Sequence, residues 1–186
     1  MIYGVTGAAG FIGSRICEAL ASQNHTVVAI CRRSPATGFL NHPNIKISIG
    51  DIRDLDFLKK ALEGVESCFH LAGLAKPVID AARYDQINVG GTRNILLACD
   101  SVNVKRLVFT STAGVFGSSK CGSLIDENRV YSETGKTNYE KSKHVAEELV
   151  REFVEQSDLN GCIVNPTRVF GPGPIKASNF LTGIIC

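Results

Sequence analysis

Near its N-terminus the chain reads Val5-Thr6-Gly7-Ala8-Ala9-Gly10-Phe11-Ile12-Gly13, a glycine-spaced segment between an apolar run and an amphipathic one. The residues before it suit a short buried strand, and the apolar spacing from Phe11 to Leu20 is helical. Glycines at such a corner let the backbone turn tightly, approach a phosphate and pack the helix closely on the strand. We therefore interpret the segment as a phosphate-binding loop that leads into a helix N-terminus with free N–H groups. An ordinary glycine-rich loop is the alternative, because the spacing is not the Gly-x-Gly-x2-Gly of the most familiar dinucleotide fingerprint.

The composition indicates one globular domain. The chain has 186 residues, of which 44% are hydrophobic, so it is long enough for one well-filled core. Twenty basic and 18 acidic side chains give a net charge of +2, and no basic run points to nucleic acid or a membrane surface. We therefore expect a small-molecule partner. The seven cysteines form no Cys-x2-Cys pair, which favours reduced, mostly buried thiols in a cytoplasmic protein without a structural metal.

Strand-like and helix-like segments alternate along the rest of the chain. The later strands are predicted at Thr26–Ile30, Ile45–Ile49, Ser67–Leu71, Arg106–Thr110 and Gly161–Val164. Helices are predicted between them, including one capped by Asp54 and two longer ones at Tyr84–Cys99 and Thr137–Gln156. This alternation predicts a Rossmann-type, doubly wound α/β fold with parallel strands in the order 3-2-1-4-5-6 and helices on both faces. His70 on the fourth strand is predicted to be a core residue with satisfied hydrogen bonds, not a metal ligand or a base.

The residues after the second strand bear on the choice of dinucleotide. In dinucleotide folds an acidic residue at this strand end binds the adenosine ribose, whereas an arginine accommodates a 2′-phosphate. Here Cys31 occupies the acidic position, and Arg32 and Arg33 follow it. The pattern favours NADP(H) over NAD(H); a pair of solvated loop arginines is the alternative.

A second group of residues suggests acid–base chemistry. Tyr139 and Lys143 are four residues apart near the start of a predicted helix, so both side chains project from one face. A nearby ammonium favours the phenolate and is expected to lower the pKa of Tyr139, which would make the pair an acid–base unit. Ser111 and Thr112 follow the fifth strand, at the sheet edge where ligands of parallel sheets bind. A hydroxyl there could hydrogen-bond a substrate oxygen as charge develops.

These motifs occur in the order found in a known family. The glycine segment, Gly50-Asp51-Ile52, His70-Leu71-Ala72-Gly73, Asn88-Val89-Gly90-Gly91-Thr92-Arg93-Asn94 and Tyr139-Glu140-Lys141-Ser142-Lys143 stand in sequence along the chain. Together they resemble the extended short-chain dehydrogenase/reductase family of NAD(P)-dependent epimerases, dehydratases and reductases, most closely its dihydroflavonol-reductase-like branch. The resemblance implies catalytic roles for Thr112, Tyr139 and Lys143. It implies that the dinucleotide contacts Gly7, Gly10, Phe11, Ile12, Gly13, Arg32, Arg33, Asp51, Ile52, Leu71, Ala72, Gly73, Asn88, Ser111, Tyr139, Lys143, Pro166 and Val169.

The resemblance implies an NADP(H)-preferring oxidoreductase that acts on a small carbonyl or alcohol. A nucleotide-sugar epimerase or dehydratase with tightly bound NAD(P) is one alternative, and a non-catalytic NADP(H)-binding regulator is another. Residues 1–186 are expected to be the dinucleotide-binding domain, with the C-terminal substrate-binding part of the family largely absent. We therefore expect cofactor binding with little turnover, and uncovered apolar surface around Phe170, Phe180, Leu181 and Ile184–Ile185. The resemblance also implies a homodimer formed through the helices near Gln86–Cys99 and Thr137–Gln156.

Overall fold

The computed structural model describes residues 1–35, 41–75, 80–117, 124–132 and 134–171, and these form a six-stranded sheet with flanking helices. All five strand pairs are parallel, and the strand order is β3-β2-β1-β4-β5-β6, which confirms the predicted topology. The strands are Ile2–Thr6 (β1), Thr26–Cys31 (β2), Ile45–Ile49 (β3), Ser67–His70 (β4), Arg106–Thr110 (β5) and Asn160–Val164 (β6).

Helices connect most of these strands. They are Phe11–Ser22 (α1), Leu55–Ala61 (α2), Ala82–Tyr84 (α3), Gly90–Ser101 (α4) and Asn138–Glu155 (α5). A π-helical turn at Asp85–Val89 joins α3 to α4, and a 3₁₀ turn at Ala113–Phe116 follows β5. The predicted single helix over Tyr84–Cys99 is therefore interrupted by one wider turn. This turn contains Asn88, whose buried side chain binds the backbone beyond β4.

The two faces of the sheet bury different sets of side chains, as the alternation of a strand requires. On one face α1 packs through Cys17 and Ala21 on Val5, Val27 and Ala29. On the other face α2, α4 and α5 cover a larger core that includes Ile30, Leu58, Leu96, Phe109 and Val150. Helices therefore lie on both faces, as predicted, and the carboxyl ends of β1, β4 and β5 meet at one edge.

Side chains cap two of the helices, one at the predicted cap Asp54 and one at Thr137, which the sequence predicted only as the start of a helix. Asp54 Oδ1 accepts a hydrogen bond from the Phe57 amide at 3.0 Å, which starts α2. Thr137 and Glu140 form a reciprocal capping box at the start of α5, with Thr137 Oγ1 accepting from the Glu140 amide at 3.2 Å. The capping box fixes where α5 begins, and therefore where Tyr139 lies.

Five cysteines lie within the described residues, and all five are free thiols. Cys17, Cys31, Cys68 and Cys99 are buried, as predicted, and Cys162 is exposed. None of the helices in the described ranges is both long and apolar enough to cross a bilayer. The expected apolar surface at Phe180, Leu181 and Ile184–Ile185 lies outside the described residues, whereas Phe170 is exposed.

Candidate active site

The glycine segment forms the sharp corner that its spacing predicts. Gly7 has φ = +67°, and a Cβ there would lie 2.8 Å from the amide nitrogen of Ala72. A Cβ on Gly13 would collide with the carbonyl oxygen of Gly7 and lie 2.9 Å from Ala8 Cα. Gly10 is the N-cap of α1, and no side chain caps this helix in the described part of the chain. The first-turn amides, which include those of Phe11, Ile12 and Gly13, are therefore available to an anion.

The segment after β4 is held beside this corner by two side chains. Thr6 Oγ1 accepts hydrogen bonds from the amides of Leu71 and Ala72, at 3.2 and 3.1 Å. Asn88 holds Leu74 from the other side, accepting from its amide at 2.6 Å and donating to its carbonyl at 3.2 Å. The chain from Leu71 to Leu74, which includes Gly73, is thereby fixed next to the glycine loop.

A buried hydrogen-bonded chain connects this region to α5. Thr6 Oγ1 lies 2.7 Å from His70 Nδ1, and His70 Nε2 lies 3.0 Å from Thr92 Oγ1. Thr92 Oγ1 donates to the carbonyl of Asn88 at 2.6 Å, and Asn88 Nδ2 donates to Ser142 Oγ at 2.9 Å. Ser142 Oγ in turn donates to the carbonyl of Tyr139 at 2.7 Å. The glycine corner and the helix that carries Tyr139 are thus joined by continuous polar contacts.

The proton positions along this chain follow from counting donors. Thr6 Oγ1 already accepts two amide hydrogens, so its own hydrogen points to His70 Nδ1. His70 is therefore the neutral Nε2–H tautomer, which donates to Thr92. Burial, and secondarily the charge of Lys143, lowers the pKa of His70 from 6.5 to about 3. His70 is a core residue with satisfied hydrogen bonds, as predicted.

The residues predicted to bind the adenosine end lie around the exits of β2 and β3. The Cys31 thiol is buried and accepts a hydrogen bond from the Ala9 amide, whereas Arg32 and Arg33 are exposed. The Asp51 carboxylate accepts three hydrogen bonds from Arg53, two from its guanidinium at 3.0 and 2.8 Å and one from its amide at 3.0 Å, and these lower the pKa of the carboxyl. Ile52 is buried against Gly91 of α4.

The end of β5 presents a hydroxyl that has no partner among the described residues. Ser111 is 4% exposed, and its Oγ is the one buried side-chain nitrogen or oxygen atom in the described ranges that lacks a hydrogen bond. Thr112 Oγ1 next to it caps the 3₁₀ turn by accepting from the Gly114 amide at 3.2 Å. An unpaired buried hydroxyl is costly, so the Ser111 Oγ is available to hydrogen-bond a polar group of a ligand.

The segment after β6 contacts the turn after β5 and then the start of α1. The carbonyl of Pro166 accepts a hydrogen bond from the Ala113 amide at 3.0 Å. Farther on, Val169 is exposed, and a Cβ added to Gly171 would lie 3.5 Å from Phe11 Cζ. The segment thus runs from the Thr112 turn to the start of α1.

Tyr139 and Lys143 lie in the first two turns of α5. Lys143 is 5% exposed, and its Nζ lies 4.1 Å from the centroid of the Phe109 ring on β5. Burial lowers the pKa of Lys143 to about 7, and the Glu147 charge opposes that shift. Burial, with smaller contributions from Glu140 and Tyr84, raises the pKa of Tyr139. The expected lowering of the Tyr139 pKa is therefore wrong for this structure, because Lys143 reaches toward β5 and desolvation dominates at the phenol.

The Thr112 turn packs directly on the first turn of α5. A Cβ on Gly114 would lie 2.6 Å from Glu140 Oε1, so a larger residue there would have to displace the Glu140 carboxylate. Lys136 Nζ donates to the carbonyl of Gly114 at 2.6 Å. These contacts bring Thr112 and Tyr139 into neighbouring turns.

Sequence reasoning missed several side chains that hold this site together. They are Thr6, Lys136, Glu147 and Asn165. Two had a usable signal: Thr6 immediately precedes the first glycine, and Glu147 lies one helical turn after Lys143.

The arrangement fits a dinucleotide. The corner has space only for glycine, and within the described ranges the first turn of α1 is uncapped and the Ser111 hydroxyl lacks a partner. The buried Lys143 packs on Phe109, two residues before Ser111. Together with the sheet topology, these features define a dinucleotide-binding domain of the short-chain dehydrogenase/reductase class. The chain belongs to the NAD dependent epimerase/dehydratase family, whose model matches residues 4–186.

Individual relatives include different enzymes. The chain is 32% identical over 179 residues to a 3 beta-hydroxysteroid dehydrogenase/Delta 5-->4-isomerase of Mycobacterium tuberculosis, covering 91% of this chain and 47% of the relative. It is 34% identical over 169 residues to an undecaprenol-linked N-acetylglucosaminyl 4-epimerase of Escherichia coli O157:H7, covering 89% of this chain and 48% of the relative. The chain therefore spans about half the length of these curated relatives.

The fold is also similar to solved structures. One is a short-chain dehydrogenase/reductase superfamily protein from Agrobacterium tumefaciens with bound NAD. It matches with a TM-score of 0.78 and 28% identity, over 89% of this chain and 48% of that chain.

Proposed function

We propose that this chain is the dinucleotide-binding part of an NADP(H)-preferring oxidoreductase that acts on a small carbonyl or alcohol. The observation that carries the proposal is the packing of the Thr112 turn on the first turn of α5, next to the unpaired Ser111 hydroxyl. This packing brings a hydroxyl, a phenol and a buried amine to one end of the sheet, where parallel sheets bind their ligands.

The side chains suggest a division of roles. A nicotinamide dinucleotide, when bound, supplies or accepts the hydride. Because the pKa of Tyr139 is raised, its phenol keeps its proton at neutral pH and can donate it to a substrate oxygen. The Thr112 hydroxyl can hydrogen-bond the same oxygen. Lys143 and Ser111 would hold the nicotinamide end of the dinucleotide, including its ribose, since both side chains are buried near the end of β5.

A substitution at Tyr139 tests this assignment. Tyr139→Phe should remove carbonyl-dependent oxidation of NADPH in the complete protein and leave NADPH affinity close to native, since the phenol's role is proton donation. Tyr131→Phe is the matched control, because Tyr131 is not one of the proposed acid–base residues. Its ring stacks on that of His144, with the two ring centroids 3.4 Å apart. Undiminished turnover by the Tyr139 variant would contradict the role assigned to the phenol.

The cofactor preference follows from the exit of β2. Arg32 and Arg33 are exposed there, no carboxylate stands at Cys31, and Asp51 is already paired with Arg53. Two guanidinium groups can bind a 2′-phosphate through charge-assisted hydrogen bonds.

Calorimetry on the chain itself tests this preference. Arg32→Ala with Arg33→Ala should weaken NADP binding by about tenfold or more and leave NAD binding nearly unchanged, because such bonds contribute about 1.5–3 kcal/mol. Lys59→Ala with Lys60→Ala removes the same charge from the end of α2 and serves as the control. Equal affinity for NAD and NADP in the native chain would refute the preference.

The epimerase or dehydratase alternative is favoured by similarity to several sugar epimerases, among them the 4-epimerase at 34% identity. It predicts conversion of a nucleotide-linked sugar without net change in cofactor absorbance. Product analysis by mass spectrometry and NMR, run beside the NADPH oxidation assay, separates the two reactions.

We also propose that the chain forms a homodimer through α4 and α5. Leu97 and Val145 on these helices are 41% and 47% exposed, although each helix buries its opposite side. A second copy could cover this surface. Light scattering should report a dimer at micromolar concentration, and Leu97→Lys with Val145→Lys should give a monomer.

A further inference from the structure

One buried carboxylate lies beside the proposed site. Glu147 is 1% exposed and lies on α5 one helical turn after Lys143. Its Oε1 accepts from Asn165 Nδ2 at 2.7 Å, and its Oε2 lies 3.4 Å from the guanidinium of Arg151, which is half exposed. Burying a carboxylate costs free energy unless hydrogen bonds and opposite charges compensate. The groups that contact Glu147 therefore show what its burial achieves.

Asn165 connects this carboxylate to the turn after β5. The same Nδ2 that binds Glu147 also lies 3.3 Å from the carbonyl of Thr112, to which it donates. Backbone bonds on either side reinforce the connection: the Ser111 amide donates to Val164 at 2.8 Å, and the Ala113 amide donates to Pro166 at 3.0 Å. Asn165 therefore lies between α5 and the hydroxyl-bearing turn.

The surroundings of Lys143 give the carboxylate a second effect. The Phe109 ring faces Lys143 from β5, the neutral His70 lies on β4, and Tyr139 precedes it on α5. Among the charged groups that act on Lys143, Glu147 supplies the opposing negative charge. Without it, desolvation would favour the neutral amine.

We propose that Glu147 is a positioning residue, which ties α5 to the Thr112 carbonyl through Asn165 and supplies a negative charge one helical turn from Lys143. This inference rests on the proposed function for its meaning in catalysis. The hydrogen-bonded connection through Asn165 and the effect of the Glu147 charge on Lys143 are both measurable without any cofactor.

Two variants separate the charge from the connection. Glu147→Gln keeps an oxygen acceptor for Asn165 but removes the charge. It should lower the pH midpoint of Lys143, followed by NMR of its ε-methylene group, by about one pH unit. Glu148→Gln is the matched control, because Glu148 is exposed and binds the same Arg151 at 2.9 Å; it should leave the midpoint unchanged. If Glu147 were only structural, Glu147→Gln would change the free energy of unfolding and leave the Lys143 midpoint unchanged.

Asn165→Ala removes the connection and keeps the charge. It should speed hydrogen exchange of the Ala113 amide at least about tenfold, as expected when a tethered turn opens more often, while the Lys143 midpoint stays native. Asn165→Leu, which is similar in volume, replaces the alanine variant if that variant does not fold. The proposal is overturned if Glu147→Gln and Glu148→Gln give the same Lys143 midpoint, or if loss of Asn165 leaves the Ala113 exchange rate unchanged. If the native chain binds neither NADP nor NAD, the proposed function is wrong. The Lys143 midpoint and the Ala113 exchange rate still test the role of Glu147 in that case.

Discussion

Acidification should destabilise this domain through His70. The ring accepts a hydrogen from Thr6 and donates to Thr92, and it is fully buried. A second ring proton on Nδ1 would point at Thr6 Oγ1, which already accepts the amides of Leu71 and Ala72. Protonation therefore breaks hydrogen bonds as well as burying a charge near Lys143.

The size of the effect follows from proton linkage. The pKa of His70 is about 3 in the folded chain and 6.5 ordinarily. Because the folded value is depressed, the stabilisation is complete above pH 6.5 and is lost as the pH falls toward 3. Between pH 7 and pH 4 the unfolded chain gains this proton and the folded chain does not, which amounts to about 3 kcal/mol at about 1.4 kcal/mol per pH unit.

Urea unfolding at a series of pH values measures this loss. Native protein should lose about 3 kcal/mol more between pH 7 and pH 4 than the non-titrating variant His70→Asn. His42→Gln, which removes a histidine outside this hydrogen-bonded chain, is the matched control. A direct check is nitrogen NMR of the imidazole, which should show the neutral Nε2–H tautomer down to pH 4. Titration of His70 near pH 6, or equal acid sensitivity in native and His70→Asn proteins, would refute the reasoning.

Three further predictions concern the backbone around the site. Gly13→Ala should destabilise the domain by about 1–3 kcal/mol and weaken dinucleotide binding, because its Cβ meets fixed backbone atoms of Gly7 and Ala8; urea unfolding and calorimetry measure the two effects. Gly90→Ala should instead stabilise by up to about 1 kcal/mol in the same unfolding assay, since Gly90 is helical and its nearest contact is 3.6 Å. Thr137→Val should cost about 1 kcal/mol and speed hydrogen exchange in the first turn of α5, because the capping box is lost; unchanged exchange there would contradict the role of the cap.

The parts of the fold that the sequence predicted are governed by local rules. The glycine corner was predictable because Gly7, with its positive φ, and the crowded Gly13 exclude side chains for reasons that the spacing itself carries. The parallel strand order followed from the alternation of strands and helices. The cap at Asp54 was predictable for the same reason, since a cap bonds within its own first turn.

What the sequence did not predict depends on contacts between distant segments. Glu147 and Asn165 are 18 residues apart, and nothing local to either indicates that they meet. The pKa of Tyr139 was predicted in the wrong direction because its sign depends on burial and on where the Lys143 ammonium points. The π-helical turn at Asp85–Val89 also departs from the single helix predicted, since it accompanies the contact of Asn88 with Leu74.

The absence of a side chain at Gly114 limits how this domain can evolve. Glu140 occupies the space that a Cβ would need, and Lys136 binds the carbonyl of the same residue. Any larger residue at position 114 must displace the Glu140 carboxylate, which accepts a hydrogen bond from the Thr137 amide at 2.8 Å, or else move the N-terminus of α5. Either change would disturb the helical turn that carries Tyr139 without altering Thr112 or Tyr139 itself. Mutational scanning should therefore find larger residues at position 114 disfavoured, although glycine offers no reactive group. Tolerance there would require a compensating change at Glu140, so the two positions should vary together.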